Sequence, residues 1–314
     1  MRKAVANGLL LLIAVLWGSG FIGSKLAVDY GMGPGIINGF RGSIFALVTG
    51  IFFAKHVAKM TREDFLVGVI AGILNFGGMY LQTAGVQYTT PSNNAFLTSA
   101  YVVIVPFILW LVTRRRPHAM SFLAAGVCLA GMAALSGIFR TALKVNIGDV
   151  ISLAGAVLDA AGIVFLAYKT GRTHFSAVAF LMGVVQAIGG FVVFLFAEST
   201  MLAQIQWQIC IWLVLYLGLV CSFIAQTIQV VAQRHTTPTT AGIIMMLEGV
   251  FGSVFSILLG FESFSIELVA GGALITLSIV FSELDIGRLA LEARERMENR
   301  MEFHSYGRKI DKNM

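Results

Sequence analysis

The sequence predicts an all-α integral membrane protein, with ten transmembrane helices arranged as two inverted five-helix repeats. The first observation behind this prediction is composition. Of the 314 residues, 57% are hydrophobic and 12% are charged, and the mean hydropathy is +0.84, whereas soluble domains carry about 25% charged residues. The second is a pair of matching stretches, 81–106 and 228–253, set 147 positions apart. So apolar a chain belongs in a bilayer. Because the spacing of the two stretches is close to half the length of the chain, it indicates an internal duplication.

The matching stretches share both sequence and expected local structure. They pair Gln82 with Gln229, Thr89 with Thr236, Thr90 with Thr237 and Pro91 with Pro238. Each stretch has an apolar helix, a few polar residues, and then Thr-Pro at the start of another apolar helix. Thr is a favourable N-cap, and Pro suits the first helical position because its missing amide hydrogen has no intrahelical partner there. Thr-Pro is also common helix punctuation, so the matching apolar surroundings are needed to indicate a repeat.

Ten apolar segments are long enough to cross a bilayer, which needs roughly 20 apolar residues. They lie at approximately 8–28, 35–54, 65–86, 92–112, 121–138, 149–168, 176–197, 209–231, 239–260 and 268–286. Short linkers predict that successive helices run antiparallel. We therefore expect a first repeat at 5–140, a second repeat at 147–286, and a charged cytoplasmic tail at 287–314.

The basic residues of the loops predict the orientation of the chain. With a cytoplasmic N-terminus, nearly all loop Lys and Arg residues fall on the cytoplasmic side, and the other side holds only Lys25, Arg140 and Lys144. This excess predicts a multi-pass protein of the cell membrane with both termini in the cytoplasm. Membrane orientation also accounts for the net charge of +6, so we expect no nucleic-acid partner.

This topology turns the second repeat upside down relative to the first. Equivalent positions are five helices apart, and because five is odd, the two Thr-Thr-Pro turns should face opposite sides of the membrane. Inverted repeats with a site near the bilayer midplane are a common plan of secondary transporters. The topology therefore favours transport by alternating access.

Several short motifs, in this order and spacing, resemble the EamA-type branch of the drug/metabolite transporter superfamily. They are Trp17-Gly18-Ser19-Gly20-Phe21, Arg41, the two Thr-Thr-Pro turns, Leu247-Glu248-Gly249-Val250-Phe251 and Leu258-Leu259-Gly260-Phe261-Glu262. The resemblance covers residues 5–286. It departs from the family at Gly249, where Pro is usual, and at Asp159, where an apolar or aromatic residue is usual. It implies export or exchange of small metabolites, amino acids or drugs.

Polar side chains inside these segments mark a candidate substrate-binding cavity. Polar groups are costly in hydrocarbon, so they should face the bundle interior or a wet cavity. Three segments carry them at helical spacing on one face: Asn75 and Gln82; Asn94, Thr98 and Tyr101; Ser222, Gln226, Gln229 and Gln233. The alternative is that they join helices by hydrogen bonds, often worth about 0.6 kcal/mol each. Because these segments belong to the repeated stretches, we favour the cavity.

Four further residues complete the candidate site. Trp17 lies near the middle of its segment instead of the interfacial belt, where it either packs among helices or forms a wall of the pathway. Arg41 could anchor a substrate carboxylate, extend outward along its stem or pair internally. Glu248 is either a cavity charge or a hydrogen-bonded structural group. Asp159 is our candidate for the residue that binds the coupling proton or a cationic part of the substrate. The alternatives are that transport is facilitated diffusion or that Asp159 forms a structural pair with Arg41.

The expected partners are a small-molecule substrate and the lipid bilayer, with protons as the candidate coupling ion. The alternative function is an intramembrane lipid-modifying enzyme, but the sequence has no cluster of His, Asp or Cys at a membrane face. All five His residues fall in loops or the tail, and Cys128, Cys210 and Cys221 read as packing residues. A Gly-rich phosphate loop with Lys is also missing. We expect no enzyme activity, no cofactor and no metal.

Overall fold

A computed structural model describes residues 3–114, 116–117, 119–135, 146–169, 173–233 and 244–283, and all regular elements in these ranges are helical. Several predicted features lie outside the described residues. They are the second Thr-Thr-Pro turn at 236–238, the basic residues Arg140 and Lys144, the start of the ninth segment and the charged tail.

Ten helical units follow one another along the chain. In the first half, α1 spans Lys3–Asp29, α2 Pro34–Phe52, α3 Arg62–Gly85, α4 the two pieces Pro91–Ser99 and Tyr101–Thr113, and α5 Ala119–Leu135. In the second half, α6 spans Ile147–Lys169, α7 Phe175–Val193, α8 the pieces Trp207–Tyr216, Leu217–Ile224 and Ala225–Gln233, α9 Leu247–Leu258, and α10 Ile266–Glu283. A helical turn, Ala54–Val57, follows α2, and a π turn, Phe194–Glu198, and a 3-10 segment, Ser199–Gln204, extend α7.

Seven of these units are long and apolar enough to cross a membrane, namely α1–α4 and α6–α8. Among the described residues α5, α9 and α10 are shorter apolar helices. Each predicted segment therefore has its helix, and the predicted all-helical membrane fold is confirmed.

The contacts between helices repeat under an exchange of the two halves. The equivalent helices contact each other in the pairs α2–α7, α4–α9 and α5–α10. Other large contacts form matching pairs when each helix is exchanged with the one five positions away in the chain. The contact of α3 with α6 corresponds to that of α8 with α1, and the contact of α4 with α6 corresponds to that of α9 with α1. This pairing is the contact pattern of two repeats related by a pseudo-two-fold axis.

Helix starts follow the capping chemistry of the sequence. The side chain of Thr90 accepts a hydrogen bond from the amide of Asn93, with Pro91 at the first helical position, so the predicted Thr-Pro start of α4 is confirmed. At α3, the side chain of Thr61 accepts from the amide of Asp64, whose carboxylate accepts from the Thr61 amide in return. These reciprocal bonds satisfy amides that the helix itself leaves unpaired.

Small residues bring α2 and α7 into backbone contact. A Cβ atom added at Gly42 would overlap the backbone of Ala187, and one added at Gly190 would overlap the backbone of Gly39. Lipid tails are as apolar as Leu, so membrane helices associate largely through close van der Waals packing, which small residues permit. Positions at the centre of this contact therefore exclude larger side chains.

Two helices predicted to be continuous are interrupted at the centre of the bundle. In α4 the hydroxyl groups of Thr98 and Ser99 donate to the carbonyls of Asn94 and Ala95, four residues back, and such bonds often bend helices. The break follows at Ala100. In α8 the stretch Leu217–Ile224 is π-helical, a geometry that is frequent at functional sites.

Candidate functional site

A central cavity lies between the two halves of the bundle. Residues of α1–α4 and α6–α9 line it, so each half contributes four helices. About 120 Å³ of the cavity is accessible to the centre of a water molecule, several times the roughly 10–15 Å³ that one bound water needs. The cavity is therefore large enough for several waters or for a small organic molecule.

The cavity brings together ten of the eleven predicted site residues. These ten are Trp17, Arg41, Asn75, Gln82, Thr98, Tyr101, Asp159, Gln226, Gln229 and Glu248. They come from seven helices that are far apart in the sequence. Their shared position agrees with the helical spacing of the polar residues, while their binding roles remain predictions.

Asn94 has a different position from the other predicted residues. Its side chain has no exposed surface, and its amide nitrogen donates to the Gln82 carbonyl at 3.0 Å and to the Ser152 hydroxyl at 2.7 Å. These bonds join α4 to α3 and α6 next to the cavity. Asn94 thus fits the hydrogen-bonding alternative better than the cavity-lining one.

Arg41 is buried and faces the cavity. Its side chain is 3% exposed, and its Nε donates to the hydroxyl of Ser222 at 3.2 Å. Such low exposure disagrees with a side chain that extends to the membrane surface. No acidic side chain of the described residues forms an ion pair with Arg41, so the internal pairing with Asp159 is not formed there. The guanidinium remains available to an anion in the cavity.

Asp159 is partly exposed to the cavity. Its carboxylate lies against Gly78 of α3, where an added Cβ atom would overlap it. Within the described ranges Asp159 has neither an ion pair nor a side-chain hydrogen bond. A charged group in a membrane-embedded site normally pairs or faces water, so the carboxylate is open to water, a proton or a cation.

Glu248 and Tyr101 line the same cavity as Asp159. Glu248, in the first turn of α9, is 4% exposed, and its carboxyl group interacts electrostatically with Asp159. Tyr101 interacts electrostatically with both acids. The three side chains therefore reach the cavity from α4, α6 and α9.

Uncharged groups that face the cavity also lack hydrogen-bond partners. In the part of the chain that the structure describes, the amide nitrogen of Asn75, the hydroxyl of Tyr101 and the amide oxygen of Gln226 are buried and unpaired. An unsatisfied buried polar group costs about 1–3 kcal/mol. Water or a bound molecule in the cavity would remove this cost.

Trp17 both packs among helices and forms a wall of the cavity. Its indole Nε1 donates to the carbonyl of Cys221 at 2.9 Å, which fixes the ring against the π-helical stretch of α8. The thiol of Cys221 in turn lies 3.4 Å from the carbonyl of Leu16. Cys221 also lines the cavity, so its expected role as a packing residue alone is incomplete.

The apolar part of the lining lies outside the set of predicted site residues. These residues are Gly20, Phe21, Ala71, Met79, Gly162, Ile163, Leu166, Met182 and Cys221. Met79 had a usable signal, since it lies between Asn75 and Gln82 on the same helical face. The others resemble the lipid-facing residues of the same helices in composition.

At the bundle end that holds the α3–α4 turn, three acidic residues of the second half bond to the first half. The Glu198 carboxylate accepts from the amides of Gly35 and Ile36 at 2.8 and 3.2 Å. The hydroxyl of Thr89 donates to Asp149 at 2.6 Å, and the amide of Ser92 donates to Glu262 at 3.0 Å. These bonds connect the two halves at this end of the cavity.

At the other end, Asp64 joins α3 to the start of α7. Its carboxylate accepts from the backbone amide of His174 at 2.8 Å, and its second oxygen lies 3.0 Å from the His174 ring nitrogen Nδ1. Among the described residues, no group of three or more His, Cys, Asp or Glu side chains could hold a metal ion.

Comparisons with known proteins agree with this arrangement. The sequence model of the EamA-like transporter family matches residues 5–137 and 146–284. An Archaeoglobus fulgidus protein described as an uncharacterized transporter is 30% identical over 290 residues, which are 91% of this chain and 88% of that protein. A solved structure described as "Crystal structure of protein" has 18% identity and a TM-score of 0.65, over 92% of this chain and 99% of that chain, and supports the fold alone. The chain belongs to the EamA-like transporter family, in the drug/metabolite transporter superfamily, and is a multi-pass membrane transporter.

Proposed function

We propose that this protein is a secondary transporter that exports or exchanges small organic metabolites through the central cavity. The observation that carries the proposal is the lining itself, in which four helices of each half surround one space and seven of the eight present polar or charged side chains to it. In a membrane protein such residues are costly and mark substrate or ion pathways. A cavity built equally from both halves suits a carrier whose halves exchange conformations.

The proposed mechanism is alternating access between repeats at 5–140 and 147–286. The exchange symmetry of the helix contacts supports it, because two inverted repeats that swap conformations convert an outward-open state into an inward-open state. The proposed location is the cell membrane, with both termini in the cytoplasm, on the basis of the loop charges. We expect binding and release without a chemical step.

The lining residues divide into groups with different proposed roles. Arg41, Asp159 and Glu248 would bind charged parts of the substrate, and Trp17 would form a flat wall beside it. Asn94 would hold α3, α4 and α6 in position. The remaining polar residues would exchange hydrogen bonds with substrate or water: Asn75, Gln82, Thr98, Tyr101, Gln226 and Gln229.

Asp159 is the proposed site of the coupling proton. It is a carboxyl group in the cavity that no described residue pairs. Protonation in one conformation and release in the other would change the charge of the cavity as the carrier turns over. Glu248, which interacts with it electrostatically, would then respond to the same proton.

Metabolite profiling of cells and medium tests the transport proposal directly. We would compare cells that overexpress the parent protein with cells that express the doubly substituted Arg41→Gln, Asp159→Asn protein at the same membrane abundance. The proposal predicts that one or a few small metabolites shift between cells and medium with the parent and not with the variant. Identical metabolite distributions in the two cultures would contradict it, and a modified lipid specific to the parent would favour the enzyme.

A further inference from the structure

Six of the helices that surround the cavity pack in two groups. In one group α6 packs on α3 and α4, and in the other α1 packs on α8 and α9. The groups contact each other mainly where the N-terminal piece of α4, Pro91–Ser99, crosses α9. This crossing is close, since a Cβ atom added at Gly252 of α9 would lie 2.8 Å from the Cβ of Ala95. The two groups are therefore held together at the bundle end that carries the α3–α4 turn.

The start of α4 leaves one backbone amide for another part of the chain to bind. In its first turn, Pro91 has no amide hydrogen, and the amide of Asn93 donates to the side chain of Thr90. The amide of Ser92 donates to Oε1 of Glu262 at 3.0 Å. Amides in the first turn have no partner within the helix, and a negative charge is favourable there. The cap of α4, in the first half, is thus completed by a residue of the second half.

Glu262 is held in place by the turn that ends α9. Gly260 has a φ of +78°, and the amide of Phe261 donates to the carbonyl of Ser256 at 3.0 Å. This is the Schellman geometry, in which Gly is favoured because a side chain would be strained at that φ. The hydroxyl of Ser256 donates to the same Oε1 atom of Glu262 at 2.5 Å. The motif at 258–262 therefore ends α9 and directs its carboxylate to the start of α4.

The other carboxylates that bond between the halves join parts that belong together. Asp149 on α6 accepts from Thr89 of the α3–α4 turn, within one group. Glu198 joins the end of α7 to the start of α2, and Asp64 joins the start of α3 to the start of α7. These last two bonds lie at opposite ends of the bundle and are formed together, which suits contacts that persist in every state. Glu262 differs, because its bond runs from one group to the other.

The contact between Glu262 and α4 lies close to the cavity. Thr98, which lines the cavity, is six residues after Ser92, or about 9 Å along the helix at 1.5 Å per residue. Ser92, Asn94 and Ala95 have no exposed surface. A layer of packed protein nearly two helical turns thick thus separates the cavity from this end of the bundle.

Building on the proposed transport function, we propose that Glu262 is a gate residue, which keeps the cavity closed at the end of the α3–α4 turn. In the closed state its carboxylate holds the start of α4 against α9. Opening at this end moves the two groups apart and separates Ser92 from Glu262, while α2 and α7 stay in contact. Water then accepts from the freed amide, and because this exchanges one hydrogen bond for another, the gate opens and closes reversibly.

The exposure of a single Cys in the cavity tests this proposal. The probe is Asn75→Cys in the full-length protein without its native Cys residues, in liposomes, with an impermeant thiol reagent added to one side at a time. Labelling of Tyr88→Cys, at a position 57% exposed, identifies the side that holds the α3–α4 turn. Glu262→Ala should raise the rate of labelling of Asn75→Cys from that side at least about tenfold, with no rise from the other side. Glu262→Gln keeps an acceptor oxygen and should give a smaller rise.

Two further variants separate a gate from general loosening of the bundle. Ser256→Ala removes one bond that positions the carboxylate, so it should give a smaller rise than Glu262→Ala and add little to it in the double variant. It also carries the test if Glu262→Ala does not fold. Asp149→Asn is the matched control, because it weakens a carboxylate bond at the same end but within one group. Its labelling rate should equal that of the parent, even if its melting temperature falls.

The gate and the transport proposal fail in different ways. Unchanged labelling in Glu262→Ala and Ser256→Ala, an equal rise from both sides, or the same rise in Asp149→Asn would overturn the gate. Transport is scored separately, by the metabolite profiling described above. A metabolite moved by the parent, with labelling unchanged by Glu262→Ala, would sustain transport and refute the gate. Faster labelling of Glu262→Ala from the side of the turn, with no metabolite moved by the parent, would sustain the gate and refute transport.

Discussion

Asp159 on α6 lies directly against Gly78 on α3, and any side chain at position 78 would overlap its carboxylate. The missing side chain of Gly78 therefore creates the space that Asp159 occupies beside the cavity. The same contact contributes to the packing of α3 on α6. The position of Asp159 in the cavity lining depends on this pair, because a larger residue at position 78 would displace its carboxylate.

We predict that Gly78→Ala impairs transport. Overpacking of a close contact typically costs about 1–3 kcal/mol, and here the shift falls on a proposed binding group. Uptake or efflux of the metabolite found by profiling should fall about tenfold, in line with a loss near 1.4 kcal/mol. Gly126→Ala is the control, since that position has room for a methyl group. Equal activity of the two variants would contradict the role given to the Gly78–Asp159 contact.

We predict opposite outcomes for Tyr101→Phe and Asn94→Ala. The Tyr101 hydroxyl has no hydrogen-bond partner in the described residues, so its removal should lower transport and leave the melting temperature in detergent nearly unchanged. Asn94→Ala removes two hydrogen bonds that join α4 to α3 and α6, which should cost about 1–3 kcal/mol of stability. If Tyr101→Phe instead loses stability in proportion to its loss of transport, a packing role for Tyr101 would be favoured.

We predict that the two Thr-Thr-Pro turns lie on opposite sides of the membrane. Thr89 itself is 7% exposed and bonded to Asp149, whereas its neighbour Tyr88 is 57% exposed. Single Cys residues at Tyr88 and at the equivalent His235 are therefore the better probes, in a background without the three native Cys residues. An impermeant thiol reagent should label Tyr88→Cys from outside and His235→Cys from the cytoplasm. Labelling of both from one side would exclude the inverted topology.

We predict that Asp159→Asn uncouples transport from protons. The Asn amide cannot gain or lose a proton near neutral pH. Reconstituted transport by this variant should therefore lose both its pH dependence and its response to an imposed proton gradient. Part of the exchange of substrate across the membrane should persist, because Arg41, Glu248 and the other lining residues still bind the substrate. Glu248→Gln, which removes the other carboxyl group of the cavity lining, is measured in the same assay for comparison. A gradient response that is unchanged in Asp159→Asn would refute the coupling role.

The polar lining could be predicted from sequence because of the membrane itself. Hydrocarbon penalises polar groups at every position, so helical spacing alone indicated that Asn75 and Gln82 share one interior face of their helix. The same reasoning applied to Gln226 and Gln229 on theirs. In a soluble protein, polar residues at the same spacing would not indicate an interior face. The ten segments and the start of α4 at Thr90-Pro91 were predictable for equally general reasons.

The rest of the site depends on packing that one sequence does not reveal. Asn94 has the spacing of Thr98 and Tyr101, but α4 is interrupted at Ala100, and Asn94 bonds to α3 and α6. The π-helical stretch of α8 changes the helical register at Cys221 and brings it to the cavity. Phe21 and Met182 are as apolar as lipid-facing residues, so composition does not distinguish them.

The central claim, that the cavity opens alternately to the two sides of the membrane, is tested most directly by a Cys at Asn75. This position lies in the middle of α3 and lines the cavity, while Ile73 on the same helix is 57% exposed at the outer surface of the bundle and supplies the control. In a Cys-free background in liposomes, the account predicts that an impermeant thiol reagent labels Asn75→Cys from either side and leaves Ile73→Cys unlabelled in the lipid. Labelling of Asn75→Cys from one side only, or from neither, would contradict alternating access through this cavity.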